Sequence, residues 1–484
     1  MNLVIWWLMV VAVAAKVLKP SQDEWYQDPA NLATAEPGEV LKLRPVPHKL
    51  RSVYFSMNVA GAWQVMVKSQ TKHGHPVAVV STVIAPHGAR NDRVLFFQMA
   101  QDTSDPDCAP SYSVLSGASM TTIYNQLEMA TLQLALDRGM FVVLPDYETV
   151  HGWWPGGKQT GYAVLDSIRG VVKHTEDTTG ISPSAKVTMW GYSGGSIPTK
   201  WASALIKRYA PDLRKNVVGA AVGGVVSNLG STARHNEGTL YAGLVASAVG
   251  GLAKQYPEFD ELIRDQLSDA HYREINYTQN SCMVPAVIKF RHKRFFTGDK
   301  PYARDGLTVL DLPLVQKIFK EHTMADDPDT PYPHIPMLLY HAKNDEIINY
   351  HDSEVMFHSW CKKGIKSLEF VTDLTSRHVN GIVTGGPMVV NWLEQRMDGV
   401  QPNTGCDARE VESFLDGTNV TRWSMAKKFA ANVWGRPVGP VTTLPSTVSS
   451  TTSWFTGLTE PAGLPSWWNV KRWWHSWQAL HSAN

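Results

Sequence analysis

Between about residues 62 and 226, short apolar runs alternate with stretches of helical period. Residues 63–69, 77–85 and 93–98 read as strands, and 140–144 (MFVVL), 186–190 (KVTMW) and 217–226 (VVGAAVGGVV) as strands buried on both faces. Helical periodicity is predicted over 127–138, over 162–173 and from the glycines at 194–195 to about Tyr209. Apolar strands separated by amphipathic helices predict an α/β fold, a mostly parallel central sheet flanked by helices. The rhythm stops after Val226 and resumes with a strand at 336–341, a helix at 353–363, a strand at 368–374 and a helix at 381–397. Because the same alternation returns, residues from about 227 to 325 are expected to be a helical cap inserted into one domain, 16–436.

Both ends of the chain differ from this body. Residues 3–15 are apolar and end in Ala12-Val13-Ala14, a small-x-small pattern, so residues 1–15 are expected to be a signal peptide of a secreted protein, although no basic residue precedes the apolar run. Residues 437–465 are rich in Ser, Thr, Pro and Gly and read as a linker. It leads to a Trp-rich tail, 466–484, in which Trp467, Trp474, Trp477 and Val470 fall near one helical face beside Lys471-Arg472. That tail is expected either to rest on a lipid interface or to pack as a strap on the domain. In an oxidising compartment, Asn276 and Asn419 are glycosylation candidates, and Cys108, Cys282, Cys361 and Cys406 are disulfide candidates with three pairings open. The balance of 45 Lys+Arg against 44 Asp+Glu over 484 residues excludes an overall basic field for nucleic acid, which is not an expected partner.

One segment carries chemistry. Gly191-Tyr192-Ser193-Gly194-Gly195 fits G-x-S-x-G between a short apolar strand and a helix, the context in which a tight turn lifts a serine clear of a sheet. A serine hydroxyl needs a base, and the base a carboxylate to orient it. In such sites the acid and then the histidine follow the serine in the chain. The strand at 336–341 runs into Asp345-Glu346, and that at 368–374 into His378. Asp345 is thus the expected acid, with Glu346 its neighbouring alternative, and His378 the expected base. Asp373 lies within a strand and is disfavoured; His341 and His351 are the competing histidines. His73-Gly74-His75 has too few further ligands for zinc, and neither a metal nor another cofactor is expected.

Gln101-Asp102 followed by Cys108-Ala-Pro-Ser-Tyr112, then Pro145-Asp-Tyr-Glu148, 163–169 (AVLDSIR), the serine motif, Asp345-Glu346 and His378, resembles the fungal secretory lipase family in order. The resemblance spans roughly residues 40–440. It implies an α/β-hydrolase with a helical cap, a Ser193–Asp345–His378 triad and an oxyanion hole at Asp102 and Gly194. It also implies the pairings Cys108–Cys282 and Cys361–Cys406. Gln101 in place of a common Glu, Trp153-Trp154 and the tail are departures from the pattern.

The expected activity is a secreted serine carboxylic-ester hydrolase acting through an acyl-enzyme on lipid or acetyl esters, like a triacylglycerol lipase. The cap segment 238–251 (GTLYAGLVASAVGG) is expected to line an acyl path or a lid, or simply to pack as helix. A branch resembling this family deacetylates trichothecenes at C-3, and acetylated metabolites are the alternative substrates. Acyl transfer to an alcohol on the same triad, and a catalytically inactive surface-binding protein, are the other readings. The expected partners are the ester itself and a lipid interface met through cap and tail.

Overall fold

The computed structural model describes residues 17–440 except 53–54, 325–329, 419 and 421–434. The signal-peptide expectation, the Asn419 sequon, most of the linker and the Trp-rich tail lie outside the described residues. Ten strands form the main sheet of the described chain: β1 Val40–Pro45, β2 Gly61–Gln70, β3 Pro76–Ala85, β4 Arg93–Gln98, β5 Phe141–Pro145, β6 Lys186–Tyr192, β7 Val217–Gly223, β8 Met337–Ala342, β9 Ser367–Asp373 and β10 Gly405–Val411. Their spatial order is β1-β2-β3-β5-β4-β6-β7-β8-β9-β10. Neighbours from β1 to β5 pair antiparallel. Every pair from β5 to β10 is parallel.

The longer helices are α1 Ile123–Leu136, α2 Lys158–His174, α3 Ser196–Tyr209, α4 Leu229–Asn236, α5 Ala242–Gln255, α6 Pro257–Gln266, α7 Asp269–Asn276, α8 Met283–Phe290, α9 Pro313–His322, α10 Tyr350–Lys362 and α11 His378–Met397. Strand side chains alternate between two cores. Phe96, Val143, Met189 and Val222 pack with Ile168 of α2, Ile206 of α3 and Trp360 of α10. Leu95, Val142, Trp190 and Ala221 pack with Leu132 of α1 and Val390 of α11. This two-sided burial is why the strands read as unbroken apolar runs rather than as alternating ones.

Helices α4 to α9 lie between β7 and β8 in the chain, in the segment read as the cap, and carry cores of their own. Ala242, Val245, Phe290, Phe295 and Phe296 cluster in one; Leu252, Phe259, Ile263 and Ile318 in the other. Cys108 is bonded to Cys282, the residue before α8, and Cys361 of α10 to Cys406 of β10.

Several boundaries moved for identifiable reasons. β1 and β10 were not read from the sequence because both are edge strands with little buried surface. β7 ends at Gly223, not Val226, because Gly224 turns the chain with φ +50°. α11 starts at His378, not 381, capped by Asn380 accepting the Arg377 N–H at 2.8 Å. Val438, in the segment read as a linker, is buried, and its N–H donates to the Asn58 carbonyl at 2.8 Å.

No helix among the described residues is long and apolar enough to cross a membrane. Beneath the site, α2 packs closely on α3. A Cβ on Gly161 would sit 2.9 Å from backbone atoms of Trp201 and Ala202. Gly161→Val is therefore expected to cost about 1–3 kcal/mol of stability through overpacking, read as a lower urea midpoint at unchanged m-value.

Candidate active site

β6 delivers Tyr192 in extended conformation, and the next residue, Ser193, takes the left-handed region at φ +53°. For a serine this costs about 1–3 kcal/mol, sustained only where the surroundings fix the backbone. Here they do. A Cβ on Gly191 would lie 2.0 Å from the Gly195 carbonyl oxygen, and one on Gly195 1.9 Å from that of Gln98 at the end of β4. Only bare backbone fits, so the turn into α3 is locked against β4 with the hydroxyl standing above the sheet.

Three chain segments meet there. His378 Nε2 is 2.8 Å from Ser193 Oγ, and His378 Nδ1 is 2.7 Å from Asp345 Oδ2. All three side chains are buried. Asp345 Oδ1 accepts the N–H groups of Ile347 at 2.9 Å and Ile348 at 2.7 Å, which orients the carboxylate. The histidine is held from behind: Tyr192 Oη donates to its carbonyl at 2.7 Å, and Glu346 Oε2 accepts its N–H at 2.7 Å. Glu346, the alternative acid, therefore meets the backbone of His378, while Asp345 meets its imidazole.

The other candidates fall into distinct places. Asp373, at the end of β9, accepts the N–H groups of Thr375, Ser376 and Phe414 at 2.6–2.8 Å and so shapes the loop before His378. His351 is exposed, its Nδ1 3.5 Å from Glu354. His341 is the surprise. It is fully buried, with Nε2 3.0 Å from Asp345 Oδ2 and Nδ1 2.7 Å from Ser353 Oγ. Its place near the end of an apolar strand, four residues before Asp345, was the available signal. His73 and His75 sit on an exposed turn, ring centroids 6.5 Å apart. Asp105 lies near Cys108 and Cys282, but those sulfurs are bonded to each other and offer no thiolate to a metal. Asn276 closes α7, half-buried.

Burial works against the charge of Asp345, but the His378 and His341 rings outweigh it and hold the carboxyl well below the usual carboxylate range. Burial likewise pulls His378 down, and Asp345, then Glu346 and Asp102, reverse this and raise it above the ordinary histidine value of 6.5. An ionised acid beside an imidazole of raised basicity is the electrostatics of a general base.

Asp102 occupies the far side of the serine. It has φ +49°, and its Oδ1 would be 1.7 Å from a Cβ on Gly194, so carboxyl and backbone are packed against each other. Burial pushes it up to about 6, against the opposing charge of His378. Sequence reasoning missed Glu128 of α1, a buried carboxyl accepting the Ala100 N–H at 3.2 Å just ahead of this segment.

From Ser193, Gly194, Asp102 and Trp154 a narrow apolar channel of about 90 Å³ runs into the cap. Leu244, Val245, Ala248, Val249 and Leu252 of α5 form one wall; Phe259 and Ile263 of α6 and Val315 and Phe319 of α9 line its other parts. The stretch of α5 residues that reads as small and apolar is thus a channel wall as well as a packed helix. Trp154, noted in the sequence as unusual, stands beside the serine.

The profile of the secretory lipase family matches residues 115–405. Lipase 1 of Candida albicans is 37% identical over 434 residues, spanning 89% of this chain and 92% of that protein. Lipase A of Arthroderma benhamiae is 33% identical over 434 residues, 87% and 90% of the two chains. The X-ray structure of Candida antarctica lipase A superposes with a TM-score of 0.75 at 25% identity, over 89% of this chain and all of that one.

Three outcomes are expected. Ser193→Ala folds normally and loses labelling by a fluorophosphonate probe. Asp345→Asn slows labelling by at least about a hundredfold, whereas Glu346→Gln slows it less than tenfold; the reverse ranking would exchange their roles. Because only neutral His378 accepts the serine proton, the labelling rate is expected to fall as pH drops through the raised histidine value. The acid limb should centre above 6.5.

Proposed function

The chain belongs to the secretory lipase family, and we propose that it acts outside the cell as a serine hydrolase of long-chain acyl esters of the triacylglycerol class. His378 takes the Ser193 proton as Oγ attacks the ester carbonyl, and Asp345 stabilises the imidazolium that forms. The oxyanion lies against the backbone N–H groups of Gly194 and Asp102, each worth about 3 kcal/mol in such sites. With its carboxyl raised to about 6, Asp102 is also able, in its protonated form, to donate to that oxygen. The imidazolium then protonates the leaving alcohol, and in the second half-reaction His378 activates water to release the acid. Loss of Ser193 removes on the order of a million-fold in turnover.

The observation that carries the substrate class is the apolar channel through the cap. Its lining presents Leu, Val, Ala, Ile and Phe side chains along α5, α6 and α9, surfaces that gain by displacing water onto methylenes. An acetyl ester would use the same triad and leave that surface unfilled, so acetylated metabolites are the competing substrates to test.

The decisive measurement is kcat/KM across emulsified and dispersed esters from acetyl to oleoyl, with an acetylated trichothecene alongside. Long-chain esters are expected to exceed acetyl esters. Ala248→Trp should reduce long-chain kcat/KM at least about tenfold while leaving acetyl esters within about twofold. A maximum at acetyl, unaffected by Ala248→Trp, would replace this reading with a deacetylase.

A further inference from the structure

The cap carries a cationic tip that the chemistry at Ser193 does not use. Residues 289–300 hold Lys289, Arg291, Lys293, Arg294 and Lys300 against one acid, Asp299, in a chain whose whole net charge is +1. All five cations are exposed. Beside them are two of the exposed large apolar side chains of the protein, Ile288 at 56% and Tyr277 at 42%, and Lys289 Nζ lies 5.1 Å from the Tyr277 ring centroid.

This tip is built rather than loose. Phe290, Phe295 and Phe296 are buried in the cap core on either side of it. Glu237 accepts the N–H groups of Phe296 and Thr297, both at 2.6 Å. The His292 N–H donates to the Thr239 carbonyl at 2.7 Å, and the Gly238 N–H to the Lys293 carbonyl at 2.9 Å. The two acids next to the tip are thereby occupied: Glu237 with backbone, and Glu274 with Tyr302 Oη at 2.6 Å, leaving it a long 3.8 Å approach to Lys289. Among the described residues, no ion pair engages Arg291, Lys293, Arg294 or Lys300. Holding like charges together on a fixed turn around exposed Ile288 and Tyr277 is unfavourable in water and favourable against a surface offering anions above an apolar layer.

We propose that the tip at residues 288–300 docks the protein onto an anionic lipid surface, with Arg291, Lys293 and Arg294 among the headgroup charges and Ile288 and Tyr277 at the acyl boundary. The position suits the hydrolase reading, which it extends. α8, ending in the tip, packs directly on α5, the channel wall: a Cβ on Gly243 would lie 2.4 Å from Val287 Cα.

The test is sedimentation of the full chain with phosphatidylcholine vesicles, with and without phosphatidylserine. Wild type is expected to prefer the anionic vesicles and to lose that preference in high salt. Joint replacement Arg291→Ala, Lys293→Ala and Arg294→Ala should weaken anionic binding by about a hundredfold, about fivefold for each cation. The charge-keeping set Arg291→Lys, Lys293→Arg and Arg294→Lys should retain it. Hydrolysis of a soluble acetyl ester should be equal in all three proteins, so this proposal and the hydrolase reading fail separately. Equal binding of wild type to both vesicles, or an undiminished anionic preference in the alanine set, overturns it. Loss of dextran sulfate binding in the alanine set with vesicle binding intact would assign the tip to an acidic polysaccharide instead.

Discussion

The arrangement at the top of the sheet depends on one steric constraint, the contact of bare backbone between the turn after β6 and the end of β4. Gly195 lies on the Gln98 carbonyl and Gly194 on the Asp102 carboxyl at separations that no side chain allows. This contact holds Ser193 in a conformation that serine avoids, and it fixes the serine relative to the segment proposed to receive the oxyanion. Ser193 and Asp102 are therefore positioned by one packing event, which is what preorganisation would require of the proposed nucleophile and its oxyanion partner.

Asp345 and His378 are positioned from the opposite side by separate means. The Asp345 carboxylate is surrounded by donors, two backbone N–H groups on one oxygen and two imidazole rings near the other. Asp373 organises the loop leading to His378 without touching the imidazole. Removing donors from a buried carboxylate changes its charge state as well as its position, so the protonation of Asp345 and His378 is a property of this whole shell rather than of the two residues and Ser193 alone.

The central parallel strands and the serine turn were legible because both depend on local pattern: continuous apolar runs, and glycines at spacings a tight turn requires. Asp345 and His378 were legible because each follows a strand end on the same edge. What stayed hidden depends on tertiary partners. β10 reads as GCDAREV, a polar edge whose strand character comes from pairing with β9. His341 was read only as a competitor for the base, and its contact with Asp345 emerged when β8 placed it there. Glu128, in the middle of a helix, gives no sign in the sequence that its carboxyl is buried against the Ala100 amide. Asp373 was set aside for lying in a strand, and it is the last residue of that strand that holds the following loop.

The cap and the segment after β4 are joined more closely than a lid and its frame. Thr103 Oγ1 donates to the Ser281 carbonyl at 2.6 Å, Lys254 Nζ to the Ser104 carbonyl at 2.8 Å, and Cys108 is covalently tied to Cys282. The stretch flanking Asp102 is thus anchored to α5 and to the segment leading into α8. Exchanging this cap for another would therefore disturb the segment around Asp102 beside the serine along with the apolar lining of α5, so the two are inherited together rather than as separable modules.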